Sequence, residues 1–472
     1  MIAQTSSSPA QKTAPTLRIQ EKLQGIFIGL LACGYILLQF FHQHWLEIGL
    51  SIIIGLIIVT ILPTLRGSTM VVSVVLLVGG IILLSANRAP VQEWLAGFRI
   101  NLTLVALFIF SPLLGIPIKI GGYVQALKSV FKEKMNQPYF FFLGSSILTH
   151  ILGTVLNIGS TAIVYHLSTA SKIRVPRLLA DGISRGFGSA IFWSPYFAAM
   201  ALVLSQLPIT WSSIVLPAIG LALISFVVSL LIDLPIIRQV TAEDNQDDEE
   251  EIVHQTARTS GIKKVVELFS ILLAIMAIVL VIERLSNFGM VVIICLVSLV
   301  FSFVWCMLAG KTGEYVRELR DHTFLSIPRM KKEVVLFLVA GFFSSALSHV
   351  NLGTFFVEQL NQVFGSFIIG KACFLSILVV LSAMIGLHPI IMISIFVTTI
   401  QPELIGVSNA FFAVLLLGSF GIANVISPAS GANNLLSNVL RADILDVSIR
   451  WNRNYVFAMA IILPIYLQLI RL

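Results

Sequence analysis

Charge is what this chain has least of. Of its 472 residues, 11% are Asp, Glu, Lys or Arg and 57% are hydrophobic, with a mean hydropathy of +0.96. Soluble domains carry roughly a quarter charged residues, so a water-soluble fold is excluded. No loop is long enough to hold a soluble domain. No Gly-rich, Lys-containing loop that would cradle nucleotide phosphates is present either, which argues against primary pumping. Cysteine is scarce. Cys33, Cys295, Cys306 and Cys373 fall in apolar stretches at no metal-like spacing and read as inert core thiols. The net charge of +7 does not point to nucleic acid, because the basic residues are spread over short loops beside apolar segments. That is the distribution of topological signals.

Apolar runs of membrane length recur from Gly25 to the C-terminus, which makes this a polytopic helical membrane protein. Lys12, Arg18 and Lys22 precede a first run at 26–41 that has no small-residue cleavage site behind it, so it reads as a retained helix rather than a signal peptide. Basic clusters at 12–22, Arg66, 119–134, 172–177, 258–264, 311–332 and 441–453 all become cytoplasmic in one consistent set of crossings, with the N-terminus inside a bacterial-type cell membrane. Spans are expected at 26–41, 47–64, 69–86, 98–117 and 212–235, three more within 266–351, and a closing helix at 455–471. The acidic run 243–251 reads as a solvated cytoplasmic linker.

One pattern occurs twice. Phe187-Gly188, Ala190, Ser194-Pro195, Ala199 and Leu202 return as Phe420-Gly421, Ala423, Ser427-Pro428, Ala432 and Leu435, identical at seven positions. A Ser-Pro step inside a membrane helix removes a backbone donor and opens the hydrogen-bond ladder. Freed polar groups are tolerated there only when buried in protein or lining a wet cavity. Each copy follows an apolar segment of awkward length, 139–170 and 366–400. Thirty residues of helix span about 45 Å, too long for one crossing and too short for two. The polar midpoints Asn157-Ile158-Gly159-Ser160-Thr161 and Gly386-Leu387-His388-Pro389 suggest re-entrant hairpins. The expected fold is therefore all-α, with two inverted repeats, each holding a hairpin and a Ser-Pro broken helix. The chain divides into a tail and first helix (1–46), a first repeat (47–238), a linker (239–262) and a second repeat (263–472).

Ser before Pro is a preferred way to start a helix. Ser194 and Ser427 are thus expected to begin second half-helices, with Ser160-Thr161 and His388-Pro389 beginning the hairpin return arms. Converging helix N-termini carry partial positive charge and unpaired N–H groups, a seat for a carboxylate or similar oxyanion. The polar segment 430–438 adds side chains. The candidate substrate ligands are Asn157, Ser160, Thr161, Ser194, His388, Asn424, Ser427, Ser430 and Asn433. A coupling Na⁺ would take backbone carbonyls with the hydroxyls of Ser160, Thr161 and Ser427. H⁺ is the other choice, with His388 as its carrier. Arg185 either counters an anion or marks a helix end, and Asp181 either caps the helix or pairs with it. His150, His166 and His349 read as interface or helix-end residues. No other cofactor is expected.

Hairpin followed by broken helix, repeated with inversion over about 47–471, resembles the ion transporter superfamily. That group includes divalent-anion/sodium symporters, citrate carriers and the large membrane subunits of TRAP transporters. The resemblance implies a scaffold, a moving transport part, elevator-type alternating access and often a homodimer. Asn157 to Thr161 is a loose relative of one Ser-Asn-Thr tip of the symporters. Gly386 to Pro389 departs from the other, so no substrate is carried over. The leading function is ion-coupled secondary transport of a small organic anion. The alternative is a membrane-embedded transferase or polymerase acting on lipid-linked substrates.

Overall fold

A computed structural model describes residues 19–131, 134–169, 171–240 and 255–472. The first tail residues and the acidic run 243–251 lie outside them. Every regular element among the described residues is helical, with no strand. A bilayer offers its backbone groups no water, so they must pair within their own segment.

In the first half, α1 (Ile19–Phe40), α2 (His44–Ile61) and α3 (Ser68–Ala86) are followed by a jointed segment. This is α4 (Val91–Arg99), α5 (Leu102–Phe110) and α6 (Gly115–Ile120). A short amphipathic helix, α7 (Tyr123–Phe131), leads into a hairpin of α8 (Pro138–Leu156) and α9 (Gly159–Ser168). The broken helix is α10 (Pro176–Ile191) and α11 (Ala198–Gln206), closed by α12 (Trp211–Gln239). In the second half, α13 (Gln255–Leu285) and α14 (Met290–Leu308) precede α15 (Thr312–Asp321). A π-helical turn (His322–Ser326) and a 3-10 turn (Ile327–Met330) join α15 to α16 (Lys331–His349). Amphipathic α17 (Leu352–Phe364) leads into the hairpin of α18 (Ile368–Met384) and α19 (Ile390–Thr399). The second broken helix is α20 (Asn409–Ile426) and α21 (Gly431–Leu440), and α22 (Arg453–Leu469) closes the chain.

Nine helical segments among the described residues are long and apolar enough to cross a bilayer, so the protein is a multi-pass membrane protein. The length conflict at 139–170 and 366–400 is resolved by turns at Asn157-Ile158 and at Ile385–Pro389. The split is uneven. Arm α8 is long enough to span by itself, whereas α9, α18 and α19 are shorter. Helices α7, α15 and α17 were not foreseen; their apolar faces are narrow and interrupted by charge or amide side chains, so no apolar run marks them.

The broken helices form the centre. Every residue of α10 from Leu178 to Ile191 is buried, as is every residue of α20 from Phe411 to Ile426. A helix buried all round belongs to the interior of a bundle, while α3 faces outward over most of its surface. The two breaks meet through matching residues of the repeated motif. A Cβ on Gly188 would stand 2.9 Å from the Gly421 carbonyl oxygen and 2.5 Å from Val425; one on Gly421 would stand 2.5 Å from the Gly188 oxygen and 2.6 Å from Phe192. Phe192 and Val425 themselves occupy equivalent positions in the two copies. Each glycine stands against the other's carbonyl oxygen, and only glycine lets the backbones approach so closely.

Candidate functional site

Four irregular backbone segments converge on one cavity of about 80 Å³. Its wall takes Asn157 and Ile158 from the first hairpin turn, His388 from the second, Tyr196 to Ala198 from the first break, and Asn424, Ser430 and Gly431 from the second. Four of the sequence-derived candidates, Asn157, His388, Asn424 and Ser430, therefore share a surface. Apart from Ser111, the rest of the wall is aromatic and aliphatic, with Phe108, Phe187, Phe197, Phe337 and Phe420 prominent. No Asp, Glu, Lys or Arg is among the lining residues.

Local chemistry explains each turn. Asn157 has φ +52°, uncommon outside glycine. Its carbonyl accepts from Ser160 N at 3.1 Å and from Ser160 Oγ at 2.7 Å. His388 Nδ1 accepts from Ile390 N at 3.3 Å, so the neutral ring keeps its proton on Nε2, and Gly386 takes φ +88°. The ring packs between Phe337 and Phe420.

The helix starts differ from expectation. The second half-helices begin at Ala198 and Gly431, beyond the Ser-Pro steps, and neither serine is their N-cap. Ser194 Oγ instead donates to the Thr154 carbonyl at 2.6 Å, pinning the first break to α8. Ser427 Oγ accepts from Ala429 N at 3.2 Å within its own turn. Asn433 reaches back: its Nδ2 donates to the carbonyls of Asn424, Val425 and Ser427 at 3.2, 2.9 and 3.0 Å. It closes the frayed end of α20, whose carbonyls have no helical partner.

Besides Tyr196 OH at the first break, three buried oxygens near the first hairpin turn and the second break have no partner: Thr161 Oγ1, Ser430 Oγ and Asn433 Oδ1. They sit on the first turns of α9 and α21, which face each other. Ile158 would lie 2.8 Å from a Cβ on Gly431, and further along Tyr165 OH donates to the Val439 carbonyl at 3.0 Å. Buried polar atoms without partners are exceptions that call for an explanation.

Arg185 is not in the cavity. Its Nη1 meets Asp233 Oδ2 at 2.6 Å and its Nη2 meets Asp181 Oδ2 at 3.2 Å. Nε donates to Asn452 Oδ1 at 2.9 Å, and Tyr455 stacks beneath the guanidinium. The pairing of Asp181 with Arg185 matches one sequence reading; Asp233 and Asn452 were missed. The only signal for Asp233 was its place inside an apolar span, where an acid is a functional or structural marker. His150 is an interface histidine: Nε2 accepts from Trp193 Nε1 at 3.1 Å and Nδ1 lies 2.8 Å from Ser189 Oγ.

A wider cleft of about 820 Å³ adjoins the cavity and shares Phe108, Ser111, Asn157 and Ile158 with it. Its far rim carries Lys119, Glu318, Asp321 and Arg329. A separate cleft of about 500 Å³, lined by Arg99, Thr103, Gln206 and Met290 among others, shares no residue with the cavity.

No known protein family matches the sequence. No curated protein matches it either. Among solved structures, the fold is similar to the crystal structure of the YdaH transporter of Alcanivorax borkumensis, described as having an unusual topology. The TM-score is 0.56 at 13% identity, over 85% of this chain and 98% of that one.

Proposed function

We propose that the protein is a secondary carrier for a small organic anion, and that the cavity between the hairpin turns and the Ser-Pro breaks is its substrate site. The observation that carries this reading is the convergence of Asn157, His388, Asn424 and Ser430, at three well-separated places in the sequence, on one cavity. Irregular backbone at such a place is the usual device of membrane carriers. The likeness to the fold of a transporter supports it. A transferase acting on lipid-linked substrates would need acids or basic groups at the reacting centre, and the lining has none.

The lining also shapes the substrate. Five phenylalanines demand an apolar or planar body, while the amides, Ser430 Oγ and His388 Nε2–H supply donors for one anionic head. The unpartnered oxygens Thr161 Oγ1, Ser430 Oγ and Asn433 Oδ1 suit an alkali cation, and we assign Na⁺ as the coupling ion. Of the three hydroxyls first considered, Thr161 Oγ1 has no partner, while Ser160 Oγ donates to the Asn157 carbonyl and Ser427 Oγ accepts from Ala429 N, bonds that leave oxygen lone pairs for a cation. The two halves are read as inverted repeats, since in each an amphipathic helix, a hairpin, a broken helix and a closing helix follow in the same order (α7–α12 and α17–α22) and the broken helices meet reciprocally at Gly188 and Gly421. The cleft rimmed by Lys119 and Arg329 then opens to the cytoplasm, giving an inward-facing state of an elevator-type cycle, in a homodimer in the cell membrane. Purified protein in liposomes tests this: a panel of labelled aromatic and aliphatic carboxylates should show counterflow and uptake under an inward Na⁺ gradient. No counterflow with any of them, from folded protein, would overturn the assignment.

A further inference from the structure

We propose that Asp181 and Asp233 share one exchangeable proton, which makes the junction of α10, α12 and the start of α22 a proton-binding site separate from the central cavity. Both carboxylates are fully buried. Each uses one oxygen on the same guanidinium, and each leaves Oδ1 without any partner. Arg185 has nothing more to give. Nε goes to Asn452, Nη1 to Asp233 and Ser229 Oγ, and Nη2 to Asp181 and the Trp451 carbonyl. Two carboxylates therefore face one saturated cation inside a dry interface.

Among the described residues, the surroundings supply no second buried cation. Arg177 reaches Asp181 Oδ2 at 3.5 Å but is 40% exposed and screened by solvent. On the π-helical turn before α22, Asp446 and Arg450 pair with each other at 2.7 Å. Tyr455 bonds Ser225 Oγ at 2.6 Å. From α8, His150 is committed to Ser189 and Trp193; from α9, Tyr165 bonds Val439 and His166 packs on Tyr165. Helices α20 and α21 carry no titratable residue.

An unpaired buried carboxylate is costly, and like charges sharing a site favour keeping one acid protonated. A single proton neutralises one acid and leaves a one-to-one pair with Arg185. Deprotonation releases that proton to water at Arg177, the exposed end of the cluster. If the chain is the Na⁺-coupled carrier proposed above, a proton moved alongside Na⁺ has its seat here and not at the hairpin turns. The site itself does not depend on that reading.

Infrared titration of the full-length protein in lipid vesicles tests it without any substrate. Raising the pH should remove one protonated-carboxyl C=O band from the wild type. Either Asp181→Asn or Asp233→Asn alone should abolish that band, because the remaining acid then faces Arg185 one to one and stays ionised. Persistence of the band in one of the two variants would assign the proton to a single residue and overturn the sharing. A wild-type spectrum with no such band at any pH would overturn the site altogether. Isotope-labelled aspartate in the unaltered protein separates this band from those of Glu283 and Glu333, and keeps the test decisive should a variant fail to fold.

Discussion

Asn433 and Ser430 lie three residues apart yet their chemistry differs. The amide of Asn433 is spent on three carbonyls at the end of α20, so Asn433→Ala strands acceptors in a buried place. A buried group left unsatisfied costs about 1–3 kcal/mol. Ser430 Oγ makes no bond within the protein and its residue lines the cavity, and Asn424 spends only its Nδ2, on the Phe420 carbonyl at 3.0 Å. We therefore expect Asn433→Ala to lower the thermal midpoint clearly. Ser430→Ala and Asn424→Ala should hold the midpoint within a few degrees while weakening substrate affinity roughly tenfold to a hundredfold, the loss of one hydrogen bond to a charged ligand. Thermal unfolding in detergent, set beside the concentration dependence of uptake, separates the two outcomes. Equal loss of stability in all three would mean that Ser430 and Asn424 are structural as well.

At the scale of helices, the decisive contact is the crossing of α10 and α20. Gly188 and Gly421 each sit on the other's carbonyl oxygen, so Gly188→Ala and Gly421→Ala both force backbone apart, and overpacking of this kind costs about 1–3 kcal/mol. Part of each clash is with a side chain, Val425 for Gly188 and Phe192 for Gly421. Val425→Ala should therefore recover some of the stability lost in Gly188→Ala, and the backbone share should remain lost. A double-mutant cycle in unfolding midpoint reads this directly; purely additive effects would place the crossing elsewhere. The same residues show what the sequence makes legible. Phe187-Gly188 and Phe420-Gly421 announce the repeat because each copy meets the same demand, a close helix crossing followed by a break. The hairpin turns were visible as polar residues inside apolar runs. By contrast, Asn433 capping α20, Asp233 pairing with Arg185, and the phenylalanines of the cavity depend on contacts across long stretches of sequence. Phe108 and Phe337 look like any other apolar residue of a membrane helix until the fold brings them into one cavity wall with His388.

For the molecule as a whole, the two clefts make a directional claim. Phe108, Ser111, Asn157 and Ile158 belong to both the cavity and the 820 Å³ cleft, whereas the 500 Å³ cleft near Arg99 is separated from the cavity by the packing of α5 against α11. Cysteine labelling turns this into a measurement. With Cys33, Cys295, Cys306 and Cys373 replaced, Ile158→Cys and Leu325→Cys should react with a membrane-impermeant maleimide applied to the side bearing Lys119 and α7. Leu204→Cys and Met290→Cys should react only from the opposite side. If the hairpins and broken helices move against the scaffold as proposed, a saturating transported anion should change the reactivity of Ile158→Cys severalfold and leave Leu325→Cys on the scaffold nearly unaltered. Reactivity of Ile158→Cys from the Arg99 side, or equal substrate effects at both positions, would contradict an inward-facing state with a moving hairpin. The comparison between Ile158 and Leu325 matters most, because both line one cleft and only relative motion of its two walls distinguishes them.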